Sequence, residues 1–442
     1  MSDGTLVAGE VPGGAPPISA ARMILAATIG NALEYYDFQA YAFFATEIAA
    51  TFFPGHTPTA RLLLTFGTFG VSFLARPVGA VVLGTYADRQ GRARCMMLAV
   101  ALMTLGCLMI TLMPGYRSIG LVAPLGILLA RLIQGFSLGG EFGSSTAFMM
   151  EHGIGREARS ASWQATSQLA ASVLAIGVAW SLQALLPADL FGRWGFRIAF
   201  AIGTMMGPVG LLLRRGLEEA PVFRAQQEQE RRHEPGAKPR REPGTVAGVL
   251  IAMGLVALGT GQTYLTVYLP TYATTQLHLH ASRALGAVLM LYVVMLLLTP
   301  VRLFLADRFD RTHNIAPMLV SCLVLLASGY PSFMLLHAFP SAFMLFLLPV
   351  LLNVIALPYL SPLQAYMGMV FPLRHRGVGL SVGYAAGVAL FGGFAPFINT
   401  WLVARTGDAR SPGLFLAATA SLTVAALLAS RSRVAAQARG QP

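Results

Sequence analysis

The sequence predicts an all-α membrane protein of twelve transmembrane helices arranged as two six-helix halves. Three observations carry that expectation. Of 442 residues, 55% are hydrophobic and only 11% charged, against roughly 25% charged in an average soluble chain. Apolar runs of about 20 residues, the length that crosses the hydrocarbon core of a bilayer, recur twelve times. Finally, Gly-Thr-Tyr-Ala-Asp-Arg-Gln-Gly-Arg-Ala-Arg at 84–94 has a degraded copy, Ala-Asp-Arg-Phe-Asp-Arg, starting at Ala306. Asp88 and Asp307 stand 219 positions apart (307 minus 88), close to half the chain, which is the mark of duplicated halves.

In order, residues 1–21 are Gly/Pro/Ala-rich, lack the basic start and apolar run of a signal peptide, and are expected to be a disordered cytoplasmic tail. The first half, 22–214, has apolar runs at 22–50, 61–87, 95–113, 119–150, 163–186 and 196–214. Residues 215–245, with Glu218, Glu219, Arg224, Glu228, Arg231, Arg232 and Lys238, are too charged to enter lipid and are expected to form a cytoplasmic linker. The second half, 246–430, has runs at 246–276, 283–306, 314–336, 341–371, 377–403 and 413–430, and 431–442 form a second cytoplasmic tail. Glycines such as Gly79, Gly84, Gly135, Gly139, Gly387 and Gly392 would let helices approach closely.

Orientation follows from Lys and Arg. With both termini inside, 21 of the 31 basic residues fall on the inner side and seven on the outer, the asymmetry of a chain oriented by its positive loops. The formal charge of +12 is scattered singly between apolar runs, so no nucleic-acid partner is expected. Cys95, Cys107 and Cys322 have no paired spacing and read as small reduced packing residues. No phosphate-binding Gly-rich loop with Lys is present, so ATP is not the energy source, and no metal-ligand or catalytic spacing suggests an enzyme or a metal.

Charges at membrane depth cost about 2.5–3.5 kcal/mol on insertion scales and mark candidate sites. Glu34 and Asp37 share a face of the first helix near mid-depth, Arg131 of the fourth helix lies at comparable depth, and Glu141 lies about 15 Å nearer the inner side. An acid pair and a lone arginine are therefore placed to meet across a cavity. Arg76, before Pro77, reads as the support of a kink, and Arg302 as an arginine that reaches for the inner surface.

Several motifs then carry a resemblance. Asp88-Arg89-x-Gly91-Arg92 and Arg131-x-x-x-Gly135, on twelve spans split six and six, resemble the major facilitator superfamily. Gly30-Asn31-x-x-Glu34-x-x-Asp37-Phe38, Phe73-Leu74-x-Arg76-Pro77-x-Gly79, Arg131-Leu-x-Gln134-Gly135-x-Ser137-x-Gly139-Gly140-Glu141 and Trp194-Gly195-x-Arg197 resemble its bacterial metabolite-proton symporter family. Tyr264-x-x-x-Tyr268-x-Pro270-Thr271-Tyr272 and Thr406-Gly407-Asp408-x-x-Ser411-Pro412-Gly413 resemble the citrate and tricarballylate carriers within it. The second-half loop departs from the pattern, with Asp310 at the glycine position.

The resemblance implies proton-driven uptake of a small carboxylate, such as citrate, tricarballylate or 2-oxoglutarate, by alternating access in a bacterial inner membrane. It implies a functional monomer, with the proton as coupling ion and no cofactor. Glu34, Asp37 and Glu141 are the proton-coupling candidates. Arg131, Tyr35, Gln134, Gln164, Gln168, Gln262, Tyr264, Tyr268, Asn353 and Tyr384 are the substrate-binding candidates. Asp88, Arg89, Arg92, Asp307 and Arg308 are the gating candidates. A carrier of zwitterionic compatible solutes such as proline or betaine, an exporter, and a transporter-like metabolite receptor are the alternatives.

Overall fold

A computed structural model describes residue 32 and residues 35–152, 157–214, 245–312, 314–371 and 376–438. The tail at 1–21, linker residues 215–244 and the last four residues of the C-terminal tail lie outside them. Helix α1 covers 35–43 and, after a break at Phe44, Ala45–Phe52. It is followed by α2 (Pro58–Gln90), α3 (Arg92–Leu112), α4 (Val122–His152), α5 (Glu157–Leu185) and α6 (Phe196–Arg214). The second half holds α7 (Thr245–Thr275), α8 (Ala281–Leu297 with Thr299–Thr312), α9 (Ala316–Ala338), α10 (Ala342–Leu360), α11 and α12 (Pro412–Ala438). Helix α11 is composite: Arg376–Gly387, a π-helical turn Val388–Gly393, and Ala395–Thr406.

Ten helices among the described residues are long and apolar enough to cross a membrane, and the bent pair in α8 makes an eleventh. The twelfth span is α1, described from residue 35 onward. Helices suit this setting because lipid offers no partner for a backbone amide, so each segment must satisfy its own.

The breaks have local causes. Pro300 lacks an N–H and crowds the preceding turn, and α8 bends by 46° there. Thr57 caps α2, its hydroxyl accepting from Ala60 N at 3.2 Å, with Pro58 at the first helical position. Gly91 alone separates α2 from α3 and has φ 100°, a conformation that favours glycine. At the matching place in the second half, where Asp310 replaces the glycine, α8 runs on to Thr312. Helix α12 also exceeds the expected end at 430: the Ala-rich, arginine-bearing segment to Ala438 is a good helix former.

Both halves use the same neighbours. In the first, α2 packs on α4, α3 on α4, and α3 on α6; in the second, α8 packs on α10, α9 on α10, and α9 on α12. The halves meet where α2 packs on α11 and α5 on α8, a reciprocal pair under the duplication. Ring contacts across this seam join Phe66 to Tyr268, Phe69 and Phe73 to Tyr264, and Phe43 to Tyr292, with centroids 5.2–6.4 Å apart. Phe394 fills the space over Gly70 while Phe73 fills that over Gly393. Most of these residues lie in the half of the bundle opposite the 215–244 linker, the far side, where the two halves are in contact. There, Arg197 of α6 caps α3, donating to the carbonyls of Thr111 (2.6 Å) and Met113 (2.8 Å).

Close approach of α2 and α4 rests on three glycines. A Cβ on Gly135 would stand 1.8 Å from the Ser72 carbonyl oxygen, on Gly139 2.0 Å from that of Arg76, and on Gly79 1.9 Å from that of Phe136. Backbone cannot yield as a flexible side chain can. Gly84, expected to serve the same way, instead faces open space. Gly135→Ala should therefore destabilise by about 1–3 kcal/mol and lower the melting temperature of the purified protein by more than about 2 °C, whereas Gly84→Ala should leave it in place; equal melting of the two variants would refute this account.

Candidate functional site

The fourth helix delivers Arg131 to the interior of the first half, where its side chain is completely buried. Three rings enclose it: the guanidinium carbon lies 4.2 Å from the Phe38 centroid, 4.4 Å from Tyr41 and 5.2 Å from Phe69. Nη1 donates to Gln134 Oε1 at 2.8 Å and Nη2 to Ser72 Oγ at 3.4 Å. Gln134 is one helical turn along α4, so its amide stacks beside Arg131 by helix geometry alone.

From Gln134 the polar chain continues. Its Nε2 donates to Cys107 Sγ of α3 at 3.1 Å, and the Cys107 thiol donates to Asp37 Oδ2 of α1 at 2.7 Å. Arg131 and Asp37 thus belong to one buried network but do not form an ion pair with each other. Every link donates in the same sense, from Arg131 through Gln134 and Cys107 to Asp37. Asp37 Oδ1 is buried without a partner, and Gly203 of α6 leaves it room, since a Cβ there would approach Oδ1 to 2.2 Å.

The other candidates divide into groups. Glu34 lies outside the described residues, as do the side chains of Glu141, Gln164, Asp88 and Arg92. Arg89, Asp307 and Arg308 are exposed at the linker-side ends of α2 and α8. Tyr35 pairs with Tyr264, and Tyr264 and Tyr268 sit on the seam between halves. Tyr384 of α11 is half-buried nearby. Gln168 is half-buried on α5; its backbone carbonyl accepts from Ser172 Oγ at 3.0 Å, and Ser172 Oγ in turn accepts from Gln39 Nε2 of α1 at 3.1 Å. Gln262 and Asn353 line a small cavity built by α7, α9, α10 and α12, entirely within the second half. Asn353 there donates to the Pro349 carbonyl at 2.8 Å, while both polar atoms of the Gln262 amide have no partner.

Sequence reasoning missed Cys107, Ser72 and Gln39. A thiol in an apolar run reads as packing, and Cys95, donating to the Leu83 carbonyl at 3.2 Å, differs from Cys107 only in what the neighbouring helix presents. On the far side, Asp408 accepts from Arg410 Nε at 2.8 Å, and this contact holds its carboxyl below the usual range.

A bundle of two matched six-helix halves, meeting at a seam and holding charged side chains at membrane depth, defines a multi-pass membrane protein of the secondary-transporter class. The chain belongs to the major facilitator superfamily: the pattern described as Major Facilitator Superfamily matches residues 27–386. It is 39% identical over 425 residues to a citrate-proton symporter of Salmonella typhi, covering 94% of this chain and 96% of that one. It is 37% identical over 422 residues to a citrate-proton symporter of Klebsiella pneumoniae, covering 94% and 93%. An alpha-ketoglutarate permease of Escherichia coli (strain K12) is 34% identical, covering 85% of each chain. Among solved structures, the xylose transporter XylE from E. coli in a partially occluded inward-open conformation superposes with a TM-score of 0.72 at 16% identity, covering 93% of this chain and 98% of that one; this likeness establishes the fold.

Removing the thiol tests the network directly. Cys107→Ala orphans both Asp37 Oδ2 and Gln134 Nε2, a loss of about 1–3 kcal/mol for buried polar groups. Cys107→Ser keeps a donor and an acceptor in place and should recover most of that stability in a thermal melt. Equal melting of the alanine variant and the native chain would show that the network contributes nothing.

Proposed function

We propose that this protein is a proton-coupled symporter that carries a small carboxylate, citrate or tricarballylate ahead of a dicarboxylate such as 2-oxoglutarate, into a bacterial cell by alternating access. The observation that carries the reading is identity of 37–39% sustained over nearly the whole chain with two citrate-proton symporters. The inner membrane, with both termini and the linker cytoplasmic, agrees with the excess of arginine on the linker side. In that orientation most of the ring contacts between the halves lie on the outer side.

The chemistry follows from the buried network. Asp37 is the acid we assign to proton coupling. Its free Oδ1 is where a proton would reside, and protonation there leaves the Cys107 bond to Oδ2 in place. Arg131 senses that event through Gln134 and Cys107 because the two ends share one polarised chain. Glu34 and Glu141 are proposed as further coupling acids on the same face and closer to the inner side, respectively. The loops at Asp88 and Asp307 are proposed as the inner gate.

Proteoliposomes test this. An imposed proton gradient should drive accumulation of radiolabelled citrate or tricarballylate, and Asp37→Asn should remove the dependence on the gradient while leaving substrate exchange. Arg131→Gln should lower gradient-driven uptake at least about tenfold, the loss of one charge-assisted hydrogen-bond set. Accumulation of proline with no carboxylate flux would favour the compatible-solute alternative. Binding without flux of any substrate would favour a receptor and overturn the symporter reading.

A further inference from the structure

Arg76 of α2 has a feature that the support of a kink at Pro77 does not account for. Helix α2 continues through Pro77 from Pro58 to Gln90, and the Arg76 backbone is fixed by the close approach of Gly139 to its carbonyl. The guanidinium carbon lies 3.7 Å from the Phe73 centroid and 4.8 Å from that of Phe38. Nε and Nη2 are both buried and have no hydrogen-bond partner. These two atoms form the long edge of the guanidinium, the edge that takes a carboxylate through two parallel N–H···O bonds. Ring faces compensate a desolvated cation only in part, and donors left unpaired in a buried setting are costly.

What surrounds it has the same character. Tyr35 of α1 and Tyr264 of α7 pair with each other, and Arg76 acts electrostatically on Tyr35. Tyr384 of α11 lies within electrostatic reach of Arg76, Tyr264 and a second arginine, Arg302 of α8. Neither Arg76 nor Arg302 has an ion-pair partner among the described residues, where the ion pair seen is Arg410–Asp408 on the far side. Two cations and three phenols on five helices of both halves are thus linked electrostatically, and among the described residues no carboxylate acts on Tyr35 or Tyr384 beside them. Arg131, by contrast, is completely buried and hydrogen-bonded through both Nη1 and Nη2, with only its Nε unpartnered.

We propose that Arg76 and Arg302 form a two-point anion clamp across the halves, Arg76 gripping one substrate carboxylate through Nε and Nη2 and Arg302 a second, with Tyr35, Tyr264 and Tyr384 donating hydroxyls. This rests on the carboxylate reading above and sharpens it: the clamp selects anions with at least two carboxylates, and a bridging guest draws the halves together. Arg131 then serves as a positioning residue for coupling, and Arg76 is the cation that meets the substrate.

The test is binding of citrate, tricarballylate, 2-oxoglutarate and proline to the full-length protein in detergent by calorimetry. Arg76→Gln and Arg302→Gln should each weaken citrate binding at least tenfold and 2-oxoglutarate binding by a similar factor, with a cooperative melt showing that the ligand-free variants remain folded. Arg76→Lys, a point charge without the two-bond edge, should restore only part. Citrate affinity unchanged in both glutamine variants, or full restoration by lysine, would overturn the clamp while the carboxylate reading stands. Failure of the native protein to bind any carboxylate would overturn that reading and the clamp with it. If Arg76→Gln does not fold, Arg302→Gln and Arg76→Lys decide the matter on the same criteria.

Discussion

Phe38 stands between two guanidiniums, Arg76 at 4.8 Å and Arg131 at 4.2 Å, and much of the first half is arranged around that fact. A cation at membrane depth must be hydrated, paired or faced with electron-rich groups. This protein uses the last device for both arginines and adds hydrogen bonds only for Arg131. Phe38 meets Phe69 and Phe73 edge-on, so the cluster keeps its shape by ring geometry. The glycine contacts between α2 and α4 bring the two arginine-bearing backbones close enough for one ring to serve both.

Long elements were legible in the sequence because lipid imposes a simple rule: about 20 apolar residues, all backbone bonds made within the segment. Duplication was legible in the loop at Asp88 and its copy at Asp307. The degraded copy coincides with a real difference: with Asp310 in place of the glycine, α8 continues to Thr312. Breaks were less legible. The helix of α8 breaks and bends by 46° at Pro300, whereas the helix of α2 continues through Pro77.

The site was legible in its charges and not in its connections. Asp37 and Arg131 do fall at one depth, as their positions along α1 and α4 require, but the direct ion pair expected of them is replaced by Gln134 and Cys107. Which side chain bridges depends on rotation of α3, and α3 is apolar all round, so no sequence periodicity could fix it. Gln262 and Asn353 show the same limit: both are polar at membrane depth, and both face the inside of their own half. For Arg76, the proline beside it supplies a sufficient local reading in the sequence. The orphaned edge of its guanidinium is visible only in three dimensions.

The proposed clamp and the aromatic seam between the halves share a side chain. Phe73 carries the Arg76 guanidinium on its ring at 3.7 Å, and it also meets Tyr264 at 5.2 Å and occupies the space over Gly393 of α11. Its counterpart across the seam, Phe394, fills the space over Gly70. Opening the far side must withdraw Phe73 from Gly393, and a ring that moves takes its cation contact with it. In the arrangement proposed here, an anion held by Arg76 and Tyr264 therefore opposes separation of α2 from α7 and α11 directly, because it ties together the surfaces that the gate must part. Coupling between occupancy and access then needs no long-range pathway: the same aromatic contact belongs to both events.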